Sequence, residues 1–334
     1  MKFVISGQGR RVGVVSGEMV IDVNHAYQEI LRRQGAADSF ERAATQAPSN
    51  LESFITAGAA GLDAAETVLA SSAELTAPDA DGRPLTQPLA QAKLLAPWPR
   101  RRIACVGGNY ADHLAGMAAN QRGEPMRPLD EVTRTTREAG QWGFWKIPDE
   151  VAGPGDTIPA PGTNYFDYEG EVAVILGRRI RQAGLSDIAD AVWGVTLLND
   201  WSKRDGMGAP RAMSYNLGKN FDRSTSMGPC IVVGEVGPQA VDIETRVNGE
   251  LRQHYTSADM VFSFAEVLEF LSRDLSFVPG DVISGGTAAG TAADLTKPLP
   301  DGTRPTDLFL KVGDTVEVSS PQIGSLTNAI VAQA

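Results

Sequence analysis

The chain has 334 residues, is 42% hydrophobic and 21% charged, and carries a net charge of -11 with a pI near 4.9. That is enough chain for one large domain, or a large and a small one, around a sizeable core. The acidity argues against a nucleic-acid partner, which needs a basic face, and no apolar run approaches the 18 or so residues of a membrane span.

The start, MKFVISGQGRRVGVV, is too short and too polar for a signal peptide. Cys105 and Cys230 make no disulfide framework and suit a reducing cytoplasm. With two cysteines and three histidines, any metal site has to be built mainly from carboxylates.

In chain order, residues 1–23 read as short strands around glycine turns: KFVIS, RVGVVSG and MVIDV. Gly7-Gln-Gly9-Arg-Arg-Val-Gly13 resembles a dinucleotide loop, but the third glycine is displaced by one and a strand follows where a helix is required. It reads as a hairpin turn. Residues 24–75 carry helical spacing, as in AYQEILRRQ and LDAAETVLASS. The proline-rich stretch 76–100 reads as a linker. The expected division is an N-terminal domain with its linker over 1–97 and a larger domain over 98–334.

From residue 101 short β-branched runs recur: RIACVGG, EVAVILG, VWGVTLL, PCIVVG, DVISGG and DTVEVSS. Turns at Gly155, Gly280 and Gly313 precede strand runs, which predicts a mixed or antiparallel sheet in an α+β, mostly β fold. SFAEVLEFLSRDL predicts one clear helix. Residues 117–142 read as a lid-like insertion with a helical DEVTRTTREAG portion, and 291–306 as a late loop.

In YEGEVAVILG, Glu169 and Glu171 share one face of a strand, about 6–7 Å apart, with apolar residues following. Two like charges beside a core call for protonation, a basic partner or a cation, unless they form an exposed strand end paired with Arg178 and Arg179. Asp200 ends another apolar strand, VWGVTLLND, as a turn cap or as a third ligand. An all-carboxylate site suits Mg²⁺, Mn²⁺ or Ca²⁺ over zinc. Lys219 is either solvated or functional, His113 structural or catalytic, and residues 284–290 a carboxylate-binding turn or a plain one.

RIACVGGNYADH (102–113), FWKIP (144–148), DYEGEVAVILG (167–177), GVTLLNDWSKRD (194–205), LGKNFD (217–222), MGP (227–229), VNGELRQ (247–253) and FVPGDVISGGTAAG (277–290) together resemble the fumarylacetoacetate hydrolase superfamily. The resemblance implies a mixed β-roll catalytic domain with a smaller N-terminal α+β domain, in a homodimer. It implies a cation, usually Mg²⁺, held by Glu169, Glu171 and Asp200 and bound to a small oxo-acid. His113 and Lys219 then fall on catalytic residues, and Arg204, Thr287, Gln253 and Lys146 on residues that position or contact substrate. The implied activity is hydrolysis of a C–C bond in a diketo acid, as in aromatic or sugar-acid catabolism. Isomerisation, decarboxylation or dehydration of a 2-oxo acid is the alternative, and a metal-binding scaffold without turnover a third reading. Three departures bear on the choice. Gly116 stands where many members pair the histidine with a glutamate, Met207 where some have a substrate-binding glutamine, and S-G-G-T-A-A-G replaces the usual T-G-T-P-x-G loop. Glu124, Glu131 and Asp294 are the carboxylates expected to be able to replace that glutamate.

Overall fold

The alternation in KFVIS and RVGVVS gives an antiparallel hairpin, Lys2–Ser6 against Arg11–Ser16, with Phe3 opposite Val14. The tight turn uses Gly7 at φ 69. The structure is a computed structural model that describes residues 1–205 and 212–333; Met207 lies outside the described residues. After the strand Met19–Asp22, the helix Val23–Arg33 starts where Asp22 accepts a hydrogen bond from the backbone N–H of His25. It and the helices Ser39–Gln46, Leu51–Thr56 and Ala59–Ala70 bury their apolar sides against the hairpin.

The hairpin does not close on itself. Lys2 and Phe3 pair with Val232 and Ile231 of the strand Thr225–Val232. The sheet then continues through Val192–Asp200, Gly170–Leu176, Val282–Ser284 and Ile103–Gly107 to an edge at Trp142–Lys146. Neighbours on this path are antiparallel except Val282–Ser284 beside Ile103–Gly107. The stretch 76–100, expected to be a linker, is instead tied into the sheet: Thr86–Pro88 pairs with Met19–Asp22, and Leu94–Leu95 with Lys2–Ser6. One apolar core accordingly spans both parts of the chain, with Phe3 stacked 5.5 Å from Trp193.

A second sheet, of Glu250–Thr256, Asp242–Val247, Thr315–Ser320, Gly324–Val331 and Thr157–Pro159, covers the first. Val172, Val174, Leu197, Ile243, Val318 and Leu326 are buried together between them. The turns at Gly155, Gly280 and Gly313 have φ of 79, 88 and 98. Phe264–Ser272 forms the expected helix, opened by a reciprocal cap between Ser263 and Glu266. The 117–142 segment contains the end of the helix Ala111–Arg122 and the helix Leu129–Ala139, whose Arg137 pairs with Glu266 at 2.5 Å.

Candidate metal centre

Glu169 and Glu171 flank Gly170, a residue whose missing side chain lets the second sheet come close. A Cβ on Gly170 would stand 2.1 Å from Thr245 Oγ1 and 3.2 Å from the Val318 side chain. Gly170 lies opposite Asn199, whose side-chain oxygen accepts from the Glu169 N–H at 3.0 Å, while the Asp200 N–H donates to the Glu169 carbonyl at 2.9 Å. The register of two neighbouring strands therefore brings Asp200 beside the glutamate pair. The three carboxylates are buried, and each offers an oxygen within 4.8 Å of the others.

Around them the charges nearly balance. Lys219 Nζ donates to Glu169 Oε2, and to Asp200 Oδ2 and Ser202 Oγ, both at 2.7 Å. Arg204 bridges Asp167 at 2.8 Å and Glu169 at 2.7 Å. Lys146 Nζ reaches Asp200 Oδ1 at 2.6 Å. Burial works against the charged forms of Glu169, Lys219 and Arg204, but their mutual attraction wins: Glu169 is held far below the usual carboxylate range, and the two cations are raised.

Glu171 is the exception. Burial, then the Asp200 and Glu169 charges, push it well above the usual range against a single Ser284 hydroxyl donor. Among the described residues it makes no ion pair. Four buried carboxylates, with Asp167 counted, thus face three buried cations, and the carboxylate left without a cation is a would-be ligand. This oxygen-only donor set fits a divalent cation such as Mg²⁺, Mn²⁺ or Ca²⁺.

A cavity of about 290 Å³ opens over these residues, lined by Glu169, Glu171, Arg204, Lys219, His113 and Thr287 among others. His113 lies on the helix Ala111–Arg122, and its Nδ1 is 2.9 Å from Asp294 Oδ2. The Asp294 oxygen is fixed in turn by the N–H groups of Gly290, 3.1 Å, and Thr291, 3.2 Å. Asp294 packs beside Gly116, where a Cβ would stand at ordinary contact distance, 3.4 Å, from the Asp294 Cβ. Of the three carboxylates weighed for the role, Asp294 reaches the histidine, Glu131 pairs with Arg127 at 2.9 Å, and Glu124 does not line the cavity. Burial disfavours the His113 imidazolium, but the charge and hydrogen bond of Asp294 prevail and raise its pKa.

Two residues expected to line the cleft sit a layer behind it. Lys146 is spent on Asp200 and on the backbone carbonyls of Lys219 and Ser224. Gln253 donates to Thr287 Oγ1 at 2.8 Å and accepts from the Gly170 N–H at 3.1 Å, so it braces the Thr287 side chain that does line the cavity.

The profile of the fumarylacetoacetate (FAA) hydrolase C-terminal region matches residues 102–331, which takes in every residue of this site. The chain belongs to the fumarylacetoacetate hydrolase family. It is 34% identical over 250 residues to the oxaloacetate tautomerase YisK of Bacillus subtilis, covering 72% of this chain and 74% of that one. Among solved structures it resembles a fumarylacetoacetate hydrolase from Exiguobacterium antarcticum, 27% identical with a TM-score of 0.70 over 100% of both chains. It also resembles the 2-hydroxyhepta-2,4-diene-1,7-dioate isomerase of Mycobacterium marinum, 28% identical with a TM-score of 0.56 over 75% of this chain and 81% of that one. These relatives are enzymes, and they carry the names of three reactions. The mixed-sheet α+β fold is that of the family.

Several residues of the site escaped sequence reasoning in this fumarylacetoacetate hydrolase family protein. Asp167 anchors Arg204 and accepts from the N–H groups of Ala292 and Ala293. Trp142, Phe144 and Tyr215 line the cavity beside the carboxylates. The alternation of WGFWK carried a signal for two of these, since residues 142, 144 and 146 of one strand share a face.

Proposed function

We propose that this member of the fumarylacetoacetate hydrolase family is a divalent-metal-dependent enzyme that moves a proton at the carbon next to the carbonyl of a small 2-oxo acid, tautomerising it. The observation that carries the reading is that His113, held by Asp294, lines the same cavity as Glu169 and Glu171, which cluster with Asp200. Glu169, Glu171 and Asp200 would hold the cation, Mg²⁺ in the first instance. When bound, it would take the acid's carboxylate and carbonyl oxygens and stabilise negative charge on them.

His113 then serves as the base. Asp294 holds the Nδ1 proton and leaves Nε2 to take a proton from carbon and return it to oxygen. Lys219 sets a positive charge at the cavity wall where the substrate's negative charge grows. Arg204, fastened to Asp167 and Glu169, positions the ligand glutamate, and Thr287 presents its hydroxyl at the cavity wall. The 34% identity to a tautomerase supports proton transfer without bond cleavage.

Hydrolysis of a C–C bond in a diketo acid is the second reading. It is favoured by Asp294, which restores to His113 the carboxylate partner that Gly116 removes. The two buried free cysteines suit a reducing cytoplasm, and a homodimer is the assembly we adopt from the family resemblance. No helix among the described residues is long and apolar enough to cross a membrane.

The test follows the decay of enol absorbance of two 2-oxo acids, phenylpyruvate and oxaloacetate, and the cleavage of acetylpyruvate, each with Mg²⁺ and with EDTA. Mg²⁺-dependent enol decay, lost in EDTA and reduced about 10²-fold in His113→Ala, is the expected result. Mg²⁺-dependent acetylpyruvate cleavage as the faster reaction would favour the second reading. EDTA-insensitive turnover, or none on any of the three acids, would sink both.

A further inference from the structure

The charged groups of the cavity crowd at one end, and its other end has a different chemistry. The edge strand Trp142–Lys146 runs past both. Lys146, Phe144 and Trp142 share one face of it. Lys146 is fixed at Asp200, so this face leads away from the ligand carboxylates. At 3.3–3.4 Å per residue, Trp142 lies roughly 13 Å along the strand from Lys146. Phe144 stands near the charged end, with Lys219 Nζ 5.2 Å from its ring. Tyr215 meets Phe144 edge-on at 5.4 Å and Trp142 at 5.7 Å, joining them into one aromatic wall. Leu114 and Met117, from the helix that carries His113, also line the cavity.

The wall is built into the backbone. A Cβ on Gly107 would lie 2.5 Å from two indole carbons of Trp142, so the ring can rest there only over glycine. A Cβ on Gly108 would lie 2.8 Å from Leu114 Cδ2. Trp142 nonetheless remains 49% exposed, a large apolar surface at the cavity that the described chain leaves partly uncovered.

Charge points the same way. Among the described residues lining the cavity, Arg204 and Lys219 are both paired with Glu169, and His113 is paired with Asp294. A second carboxylate on the substrate would lose hydration against Trp142 and Phe144 and find no unpaired cation among the described residues that line the cavity.

Building on the 2-oxo acid reading above, we infer that the site selects acids whose far end is uncharged and apolar or aromatic, and that Trp142, Phe144 and Leu114 form the wall that reads it. The 2-oxo acid head belongs at the carboxylate cluster and the tail between the aromatic strand and the His113 helix. The cavity is at the small end of ligand sites, which suits a single ring or a short alkyl chain.

Calorimetry in Mg²⁺ with four probes tests this without reference to turnover: oxalate, pyruvate, phenylpyruvate and 2-oxoglutarate. Phenylpyruvate is expected to bind about tenfold or more tighter than both pyruvate and 2-oxoglutarate. Trp142→Ala should bring the phenylpyruvate-to-pyruvate ratio close to one, and Trp142→Arg should turn the preference toward 2-oxoglutarate. If 2-oxoglutarate binds the unaltered protein as tightly as phenylpyruvate, the inference is wrong, and that comparison needs no variant to fold. Oxalate binding with Mg²⁺ but no gain from the phenyl tail would overturn this inference and leave the metal reading standing. Failure of oxalate to bind with Mg²⁺ would overturn both.

Discussion

Asp294 and Gly116 act on one histidine from opposite directions in the chain. The glycine gives up a side chain on the His113 helix, and an aspartate 181 residues from His113 fills the place. The pH consequence has a definite sign. Burial lowers the His113 pKa, and Asp294 more than offsets that, so the neutral base appears only as pH rises through a value above the ordinary one. Asp294→Asn removes the raising influence and leaves burial in place. The acid limb of kcat/KM against pH should therefore move to lower pH, even as the plateau falls about 10²-fold with the loss of orientation. A fall in the plateau with an unmoved limb would mean that Asp294 serves the fold and not the base. Sequence patterning drew attention to Glu169, Glu171 and Asp200 because acidic residues at the ends of apolar strands are out of place, and the family resemblance then made them candidate ligands. It could not choose Asp294 over Glu124 and Glu131, because approach in space leaves no trace in spacing.

Between the residue and the molecule, glycines set where elements may touch. Gly170 separates the two glutamates, and its missing side chain is where Thr245 and Val318 of the second sheet come in. Gly170→Ala should overpack this junction and cost about 1–3 kcal/mol of stability. It should also loosen the Glu169–Glu171 geometry, so that added Mg²⁺ raises the melting temperature less than in the unaltered protein. Unchanged melting with and without Mg²⁺ would show that the sheets can part at no cost. The strands, the capped helix Phe264–Ser272 and the glycine turns were legible from periodicity and turn chemistry, which are local. The strand Trp142–Lys146 was not singled out, because it closes a polar insertion and its alternation covers only five residues.

At the scale of the whole molecule, the large sheet passes through both parts of the chain. Periodicity revealed the N-terminal hairpin but not its partner, because nothing local links Lys2–Ser6 to Thr225–Val232. We propose that residues 1–97 serve as an extension of the sheet and its core as well as a unit of their own. A fragment of residues 98–334 should then be insoluble, since removal bares the edge of Thr225–Val232 and the Trp193 side of the core. A soluble, cooperatively melting fragment would contradict this. The seat of Asp294 has a further consequence. The oxygen that orients His113 also caps the short turn of helix Ala292–Leu295 through Gly290 and Thr291, in the same loop that presents Thr287. A base paired with a neighbour on its own helix is armed whenever that helix forms. With His113 as the proposed base, its orientation depends instead on a second, distant segment having folded and docked, so proton transfer and the threonine-bearing wall would be lost together by any change that displaces this one loop.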